Sequence, residues 1–491
     1  MLEPELPAYD PGPFWDEMFS APGQVRPHYA ALARRLAGLS QEEVARRQRA
    51  TERSFRAHGI TFAVSQEAEG VEKIMPFDLI PRLVRPDEWR HIERGLEQRV
   101  RALNLFLDDL YHGQRILETD LIPAELVLGS HGYRRECRGL DPPLGVYTHV
   151  VGSDLVRDSS GEFFVLEDNL RTPSGVSYMV ENRRVLKRVW PDIFRSFHVR
   201  PVEGYPQELL ETLRAVAPPA AEEPTVVLLT PGSYNSAYFE HAFLAKGMGV
   251  EMVQGSDLFV DDGSVFMRTT HGRERVDVIY RRIDDDFLDP LTFRADTLLG
   301  VSGLMASCRL GQVTLANAVG TGVADDKAIY AYVPRIIKYY LGEEPILPNV
   351  PTYLPSEGSE LTYILEHLHE LVIKSVDASG GYGMLIGPHA TQAQRDEFRD
   401  RLRATPRGYI AQPTLALSRH PCWIDDHFEG RHVDLRPFVL FGREVKVIPG
   451  GLTRVALRRG SLVVNSSQGG GGKDTWVLTD RGAGVAVEDV G

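Results

Sequence analysis

The sequence predicts an α/β protein built of α+β lobes, and three observations carry that expectation. Up to about residue 120 the apolar residues recur mostly at helical spacing. A later stretch, 221–320, reads as strand, turn, helix and strand, with the β-branched run of a buried parallel strand. Near 150–169 and again near 432–450, strand-like runs are joined by short turns in the manner of hairpins. At roughly 150 residues per domain, 491 residues are enough for about three such lobes.

The elements follow in order. Residues 1–120 form a helical N-terminal region. Within it "SQEEVARRQRATERSFRAHG" opens on Ser40 with Glu43 three residues on, a capping box, and stops at Gly59. "RPDEWRHIERGLEQRVRALNLFLDDLYHG" is a second amphipathic helix, closing at Gly113. In 121–220, "LGVYTHVVGSDLV" and "EFFVLEDN" form a hairpin about "RDSSG", and "APPAAEEPT" then reads as a linker. In 221–320, "TVVLLTPG", "SAYFEHAFLAKGMG" and "VEMVQGSDL" make a Rossmann-like unit without the spaced glycines of a dinucleotide site. In 321–491 a helix "DDKAIYAYVPRIIKYYLG" precedes the strands "ELVIKSV" and "GYIAQP" and the hairpin "HVDLRPFVLFGREVKVIPG".

Composition narrows the function. A net charge of -13 argues against a nucleic-acid partner, which would draw on clustered Lys and Arg. The three cysteines, Cys137, Cys308 and Cys422, are far apart and odd in number, which suggests a reducing compartment. The start "MLEPELPAYD" has no leader pattern, and no apolar run approaches the ~20 residues that span a bilayer. A cytoplasmic protein with no membrane partner is expected.

Chemistry concentrates in three places. In "VIKSVDASGGYGMLIG" a strand ending at Lys374 meets a turn with Gly380, Gly381 and Gly383, where converging N-H groups and an ammonium suit phosphate oxygens. In "HVDLRPF" Asp434 and Arg436 share a strand face, and the return strand delivers Arg454 near the same end. In "SDLVRDSSGEFFVLEDN" Asp154 precedes Glu167 by thirteen residues across a hairpin, and Asn169 shares a face with Glu167. Two carboxylates and an amide oxygen suit Mg²⁺, while Asp168 faces the other way.

Together these pieces resemble the ATP-grasp ligases, whose metal end is a strand with Asp, a Gly-closed turn and a strand ending Glu-x-Asn. Lys327, the Lys374 glycine loop, a hinge strand near Gln412, the Asp-x-Arg strand and the late Arg454 match the family's remaining parts. Their order is rotated, because Glu167 lies about 290 residues before Arg454. The arrangement looks like that of circularly permuted ATP-grasp proteins such as the glutathionylspermidine synthetase relatives. The resemblance spans roughly residues 145 to 470.

It implies a site for ATP between two lobes. Lys327 and Lys374 would contact the α/β-phosphates under the glycine loop, with Ile410, Ala411 and Gln412 holding the adenine edge through backbone groups. Asp154, Glu167 and Asn169 would hold Mg²⁺, and Arg454 would sit by the γ-phosphate with Arg436 near it. Arg171 and Ser174, just past the metal strand, would meet the reacting carboxylate. The implied reaction joins a small-molecule or peptide carboxylate to an amine through an acyl phosphate, without a protein nucleophile. A catalytically quiet nucleotide-binding scaffold and a phosphotransferase are the alternatives.

Weaker signals complete the inventory. Tyr234, Asn235, Ser236, Arg281 and Arg282 are acceptor-site candidates with structural roles equally open. "HPCWIDDHFEGRH" has no familiar zinc spacing and reads as a loop. "NSSQGGGGKDTW" reads as a second glycine loop, with Ser467, Gln468 and Lys473, or as a flexible connector. Capping the site and self-association as a homo-oligomer are both open to the helical region.

Overall fold

A computed structural model describes residues 9–63, 72–376, 383–424, 427–456, 460, 461, 464 and 470–480. Its centre is a six-stranded sheet in the order Phe77–Val84, Gly471–Val477, Val445–Val455, Arg436–Phe441, Val150–Arg157, Phe163–Asn169. The first pair is parallel and the others are antiparallel. Every residue of Val150–Arg157 is buried, as befits a strand inside a sheet covered on both faces. The sheet removes the distance that the sequence puts between the Glu167 hairpin and the Arg436 strand, because Phe438 pairs directly with Gly152.

A four-stranded parallel sheet, ordered Thr314–Ala316, Val278–Arg281, Val226–Leu229, Glu251–Val253, makes the Rossmann-like lobe, with helix Tyr238–Met248 between two of its strands. A three-stranded antiparallel sheet, ordered Leu385–Ile386, Leu371–Ser375, Tyr409–Pro413, carries Lys374 and Gln412. One short segment zips this sheet to the central one. Val350 N-H donates to Val165 O at 3.0 Å, and Tyr353 exchanges N-H···O bonds of 2.8 and 2.9 Å with Ala411.

The two long N-terminal helices form as expected: Gln41–Ala57, with Ser40 Oγ accepting from Glu43 N, and Pro86–Tyr111. The second packs very closely, since a Cβ at Gly95 would stand 2.4 Å from Leu347 Cγ. Its Arg99 reaches the metal hairpin, where Nε donates to both Asp168 oxygens at 2.9 and 2.8 Å. Ser153 Oγ adds a 2.9 Å bond, so Asp168 does face away from Glu167 and ties the hairpin to the helix.

Three expectations are corrected. "DDKAIYAYVPRIIKYYLG" is not one helix but Gly322–Asp325, Lys327–Tyr330 and Val333–Leu341. Asp326 turns extended (φ -65°, ψ 123°) and caps Ala328 N, and Pro334 starts the last piece where its missing N-H costs nothing. "HPCWIDDHFEGRH" is a hairpin, Arg419–Ile424 with His427–His432, its inward positions masked in the sequence by interspersed polar residues. His420 is buried there, 3.1 Å from the Tyr29 hydroxyl, and no group of three or more metal-binding side chains gathers among the described residues. The second half of "NSSQGGGGKDTW" is the central strand Gly471–Val477, where Lys473 is buried and bonded to Asp78, Ile80 O and Pro421 O. Ser467 and Gln468 lie outside the described residues.

Candidate active site

The hairpin register sets the site. Asp154 pairs directly with Glu167, and Gly152 with Asn169, so both acid and amide project from one face near the sheet edge. Asn169 Nδ2 donates to Gly152 O at 3.0 Å, which leaves its Oδ1 without a protein donor among the described residues. Glu167 and Asn169 line a cavity of about 210 Å³ together with Lys327, Arg171 and Arg134. Burial and the neighbouring Asp154 charge push the Glu167 carboxyl above its ordinary range.

Asp154 departs from the expected ligand role. Its oxygens accept from Arg436 Nε, from Arg436 Nη2 at 2.8 Å and from Arg454 Nη2 at 2.6 Å. Burial alone would raise this carboxyl, but the two guanidiniums outweigh it and hold it well below the usual range. With both oxygens bonded to arginines, Asp154 positions Arg436 and Arg454, whereas the oxygens of Glu167 and Asn169 Oδ1 accept no hydrogen bond among the described residues. These two carry the hard oxygen donors that fit a Mg²⁺ keeping several waters.

Arg454 is held from its other side by Asp434, whose carboxylate accepts from Nε at 3.0 and 2.9 Å and from the Arg454 backbone N-H at 3.3 Å. Asp434 was legible only as a strand neighbour of Arg436; its role as anchor of Arg454 emerges from the isolated antiparallel bridge Val433–Val455 just before Arg436–Phe441, beside which Asp434 N-H donates to Arg454 O at 3.2 Å. Arg436 Nη1 donates to Ser174 O at 3.2 Å, tying the post-strand turn to the cationic cluster.

On the facing sheet Lys374 Nζ donates to Gln412 Oε1 at 2.7 Å, and Gln412 Nε2 donates to Thr352 Oγ1 at 2.9 Å. Burial, reinforced by the Lys327 charge, pushes Lys374 down to about 8 despite the opposing attraction of Glu167. Lys327 Nζ stands 3.9 Å from Glu167 and Arg436 Nη2 3.8 Å from it. Thus Arg436 and Arg454 from the central sheet and Lys327 from its short helix gather about Asp154 and Glu167, and Lys374 on the facing sheet is close enough for its charge to act on Glu167.

The remaining expected residues fall as follows. Gly383 occupies a left-handed turn (φ +66°) beyond the Lys374 strand, whereas Gly380 and Gly381 lie outside the described residues. Ile410 and Gln412 are buried on the strand facing Lys374. Ala411 is corrected as a backbone contact for adenine, because its N-H and C=O are both bonded to Tyr353. Arg171 Nε donates to Asp325 Oδ2 at 2.7 Å beside the cavity. Tyr234, Asn235 and Ser236 are exposed and stand apart from the cavity lining.

Two residues outside the sequence's site candidates hold the machinery. Glu240, on the helix of the parallel lobe, accepts from Gly175 N at 2.8 Å, Ser177 N at 3.1 Å and Ser177 Oγ at 2.9 Å, and so fixes the turn bearing Ser174. Arg282 is its counter-ion at 3.2 Å and donates to Pro173 O at 2.8 Å, while Arg281 bonds the carbonyls of Asn317, Ile283 and Ala318, so both arginines are structural. Asn317 donates to Val150 O and Leu170 O, each at 2.7 Å, clamping the two hairpin strands. Only a long-range contact could have revealed these roles.

Comparison with known proteins agrees with the rotated arrangement. The family model described as circularly permuted ATP-grasp type 2 matches residues 81–456. An uncharacterized protein of Synechocystis sp. is 57% identical over 96% of this chain and 99% of its own length. An uncharacterized protein of Mycobacterium tuberculosis is 52% identical over 96% of this chain and 86% of its own. A longer Frankia casuarinae protein named "Putative glutamate--cysteine ligase 2-2" is 44% identical over 94% of this chain and 53% of its own length. Among solved structures, the glutathione synthetase-like effector GSS30 of Globodera pallida, in apo form, aligns with a TM-score of 0.55 at 10% identity, covering 90% of this chain and 98% of that one, a likeness of fold. The matched span contains both the Glu167 hairpin and the Arg454 strand in their rotated order, and the chain belongs to the circularly permuted ATP-grasp type 2 family.

Proposed function

We propose that the chain is an ATP- and Mg²⁺-dependent carboxylate-amine ligase that forms an amide or peptide bond through an acyl phosphate. The observation that carries this reading is the convergence of Lys327, Lys374, Arg436 and Arg454 on Asp154 and Glu167 beside a cavity that also receives Arg171. A Frankia relative named "Putative glutamate--cysteine ligase 2-2", of whose length the match covers 53%, supports the same reaction class.

Lys327 and Lys374 bind the phosphates of ATP, with Ile410 and Gln412 at the base end. Glu167 and Asn169 would hold Mg²⁺, which offsets phosphate charge when bound. Asp154 and Asp434 keep Arg436 and Arg454 oriented before the nucleotide arrives, so that their donors face the transferring phosphoryl group without reorganisation. Arg171 and Ser174 receive the acid. Its carboxylate attacks the γ-phosphorus and ADP departs; the amine then attacks the acyl carbon, expels phosphate and loses a proton.

The test is ADP release across a matrix of amino acids, γ-glutamyl peptides and amines, with hydroxylamine added to trap the acyl phosphate. Hydroxamate formed only with the true acid is the expected result. Absence of ADP with every acid while Mg-ATP still binds refutes the ligase reading, and ADP release without amine incorporation makes the enzyme a phosphotransferase.

A further inference from the structure

We propose that the molecule carries a second ligand site, for an organic anion bearing two or more oxyanion groups, in the cavity between helix Gln41–Ala57 and the hairpin Arg419–Ile424/His427–His432. The cavity measures about 850 Å³, within the ~300–1,000 Å³ usual for small-molecule sites. It lies behind the catalytic cleft. Side chains alternate along a strand, so Val455 faces the cavity whereas Arg454, one residue earlier, projects from the opposite face of the sheet to Asp154.

Its floor holds Arg431, only 6% exposed. Arg431 Nη2 donates to Glu429 at 2.9 Å, but its Nε and Nη1 have no hydrogen-bond partner among the described residues. A guanidinium stays charged in a protein, and leaving its N-H groups unpaired in a buried place is costly, so the site favours an anion that completes the set.

The rim adds charge of the same sign. Arg49 and Arg56, seven residues apart on one helix and therefore on one face, line the cavity, are exposed and have no carboxylate partner among the described residues. Against them stand Glu52 and Asp78. Asp78 is already spent, accepting from Lys473 Nζ, from Ile80 N at 2.9 Å and from Trp423 N at 2.8 Å. A buried cationic floor and a bidentate cationic rim, separated by a cavity of this size, match an extended polyanion such as an acidic peptide or a sugar bisphosphate. The shared chemistry is the spaced oxyanions.

The site does not depend on the ligase reading, so the test blocks the nucleotide cleft with saturating Mg-AMPPNP. Triglutamate and fructose 1,6-bisphosphate are titrated separately into the full chain by calorimetry. One-to-one binding of either probe is expected, and the probe that binds identifies carboxylate or phosphate as the anion. Arg431→Gln should weaken that binding at least tenfold without changing AMPPNP affinity, and Arg431→Lys should fall between. The exposed pair Arg49→Gln/Arg56→Gln should weaken it by a similar factor, and tests the site even if Arg431→Gln fails to fold. Binding of neither probe, or binding unchanged by the floor and rim variants, overturns the proposal.

Discussion

Replacing Asp434 isolates the logic of the buried charge cluster. Asp434 is fully buried and, among the described residues, Arg454 is the one guanidinium that bonds its carboxylate, while Asp154 shares Arg454 and also holds Arg436. Two aspartates therefore hold two guanidiniums by direct hydrogen bonds. In Asp434→Asn, Arg454 keeps its 2.6 Å bond to Asp154 but loses a charge-assisted pair, an expected cost of about 1.5–3 kcal/mol. In Arg454→Met, Asp434 is left buried with no counter-ion, and the expected cost rises to about 3–5 kcal/mol. The double variant leaves neither partner stranded. It should cost at least about 1.5 kcal/mol less than the sum of the single variants. Denaturant unfolding of the wild type and the three variants, followed by circular dichroism under identical buffer conditions, measures the cycle. Single-variant costs that add to within about 0.5 kcal/mol would refute the coupling, and with it the claim that Asp434 holds Arg454 in place.

Three other predictions follow from the site. Glu167→Gln removes a proposed metal ligand at constant size, so the Mg²⁺ concentration for half-maximal ADP release should rise at least about tenfold and turnover should fall by about 100-fold; full turnover at unchanged Mg²⁺ dismisses the assignment. Burial holds Lys374 at about 8 in the free protein, and its ammonium is the form that binds phosphate, so ATP affinity should be flat below that pH and weaken above it, by up to about tenfold per pH unit; Lys374→Arg should flatten the profile measured by calorimetry. Glu240→Gln strips the counter-ion from buried Arg282 and weakens the anchors at Gly175 and Ser177, so hydrogen exchange across residues 173–177 should quicken at least about tenfold, while wild-type protection there would reject the anchoring role.

What the sequence reveals of this site is whatever is written in consecutive residues. The strand that ends in Glu167 and Asn169, the Lys374 strand and the Asp434/Arg436 strand each carry their periodicity and their chemistry within about ten positions, so each could be placed and matched to a family part. Their rotated order could be read too, because order is itself sequence. The partners of charge could not. Asp154 looks like a metal ligand as long as only Glu167 is near it, and becomes the holder of two arginines once Arg436 and Arg454 arrive from nearly three hundred residues away.

Ala411 illustrates the same limit on the backbone. A strand reads as having an open edge until Tyr353, fifty-eight residues earlier, occupies it. Local breaks were hidden for another reason: Asp326 and Pro334 interrupt a run whose apolar spacing is otherwise helical, and a capping side chain outweighs that periodicity at a single position. The buried strand Gly471–Val477 was obscured by glycines that carry no pattern, and Lys473 read as part of a second glycine loop or a connector because its partner Asp78 comes from the opposite end of the chain. In each case the residue type was visible and its partner was not. Pairing across sheets therefore decides which carboxylates remain for a metal and which already serve an arginine.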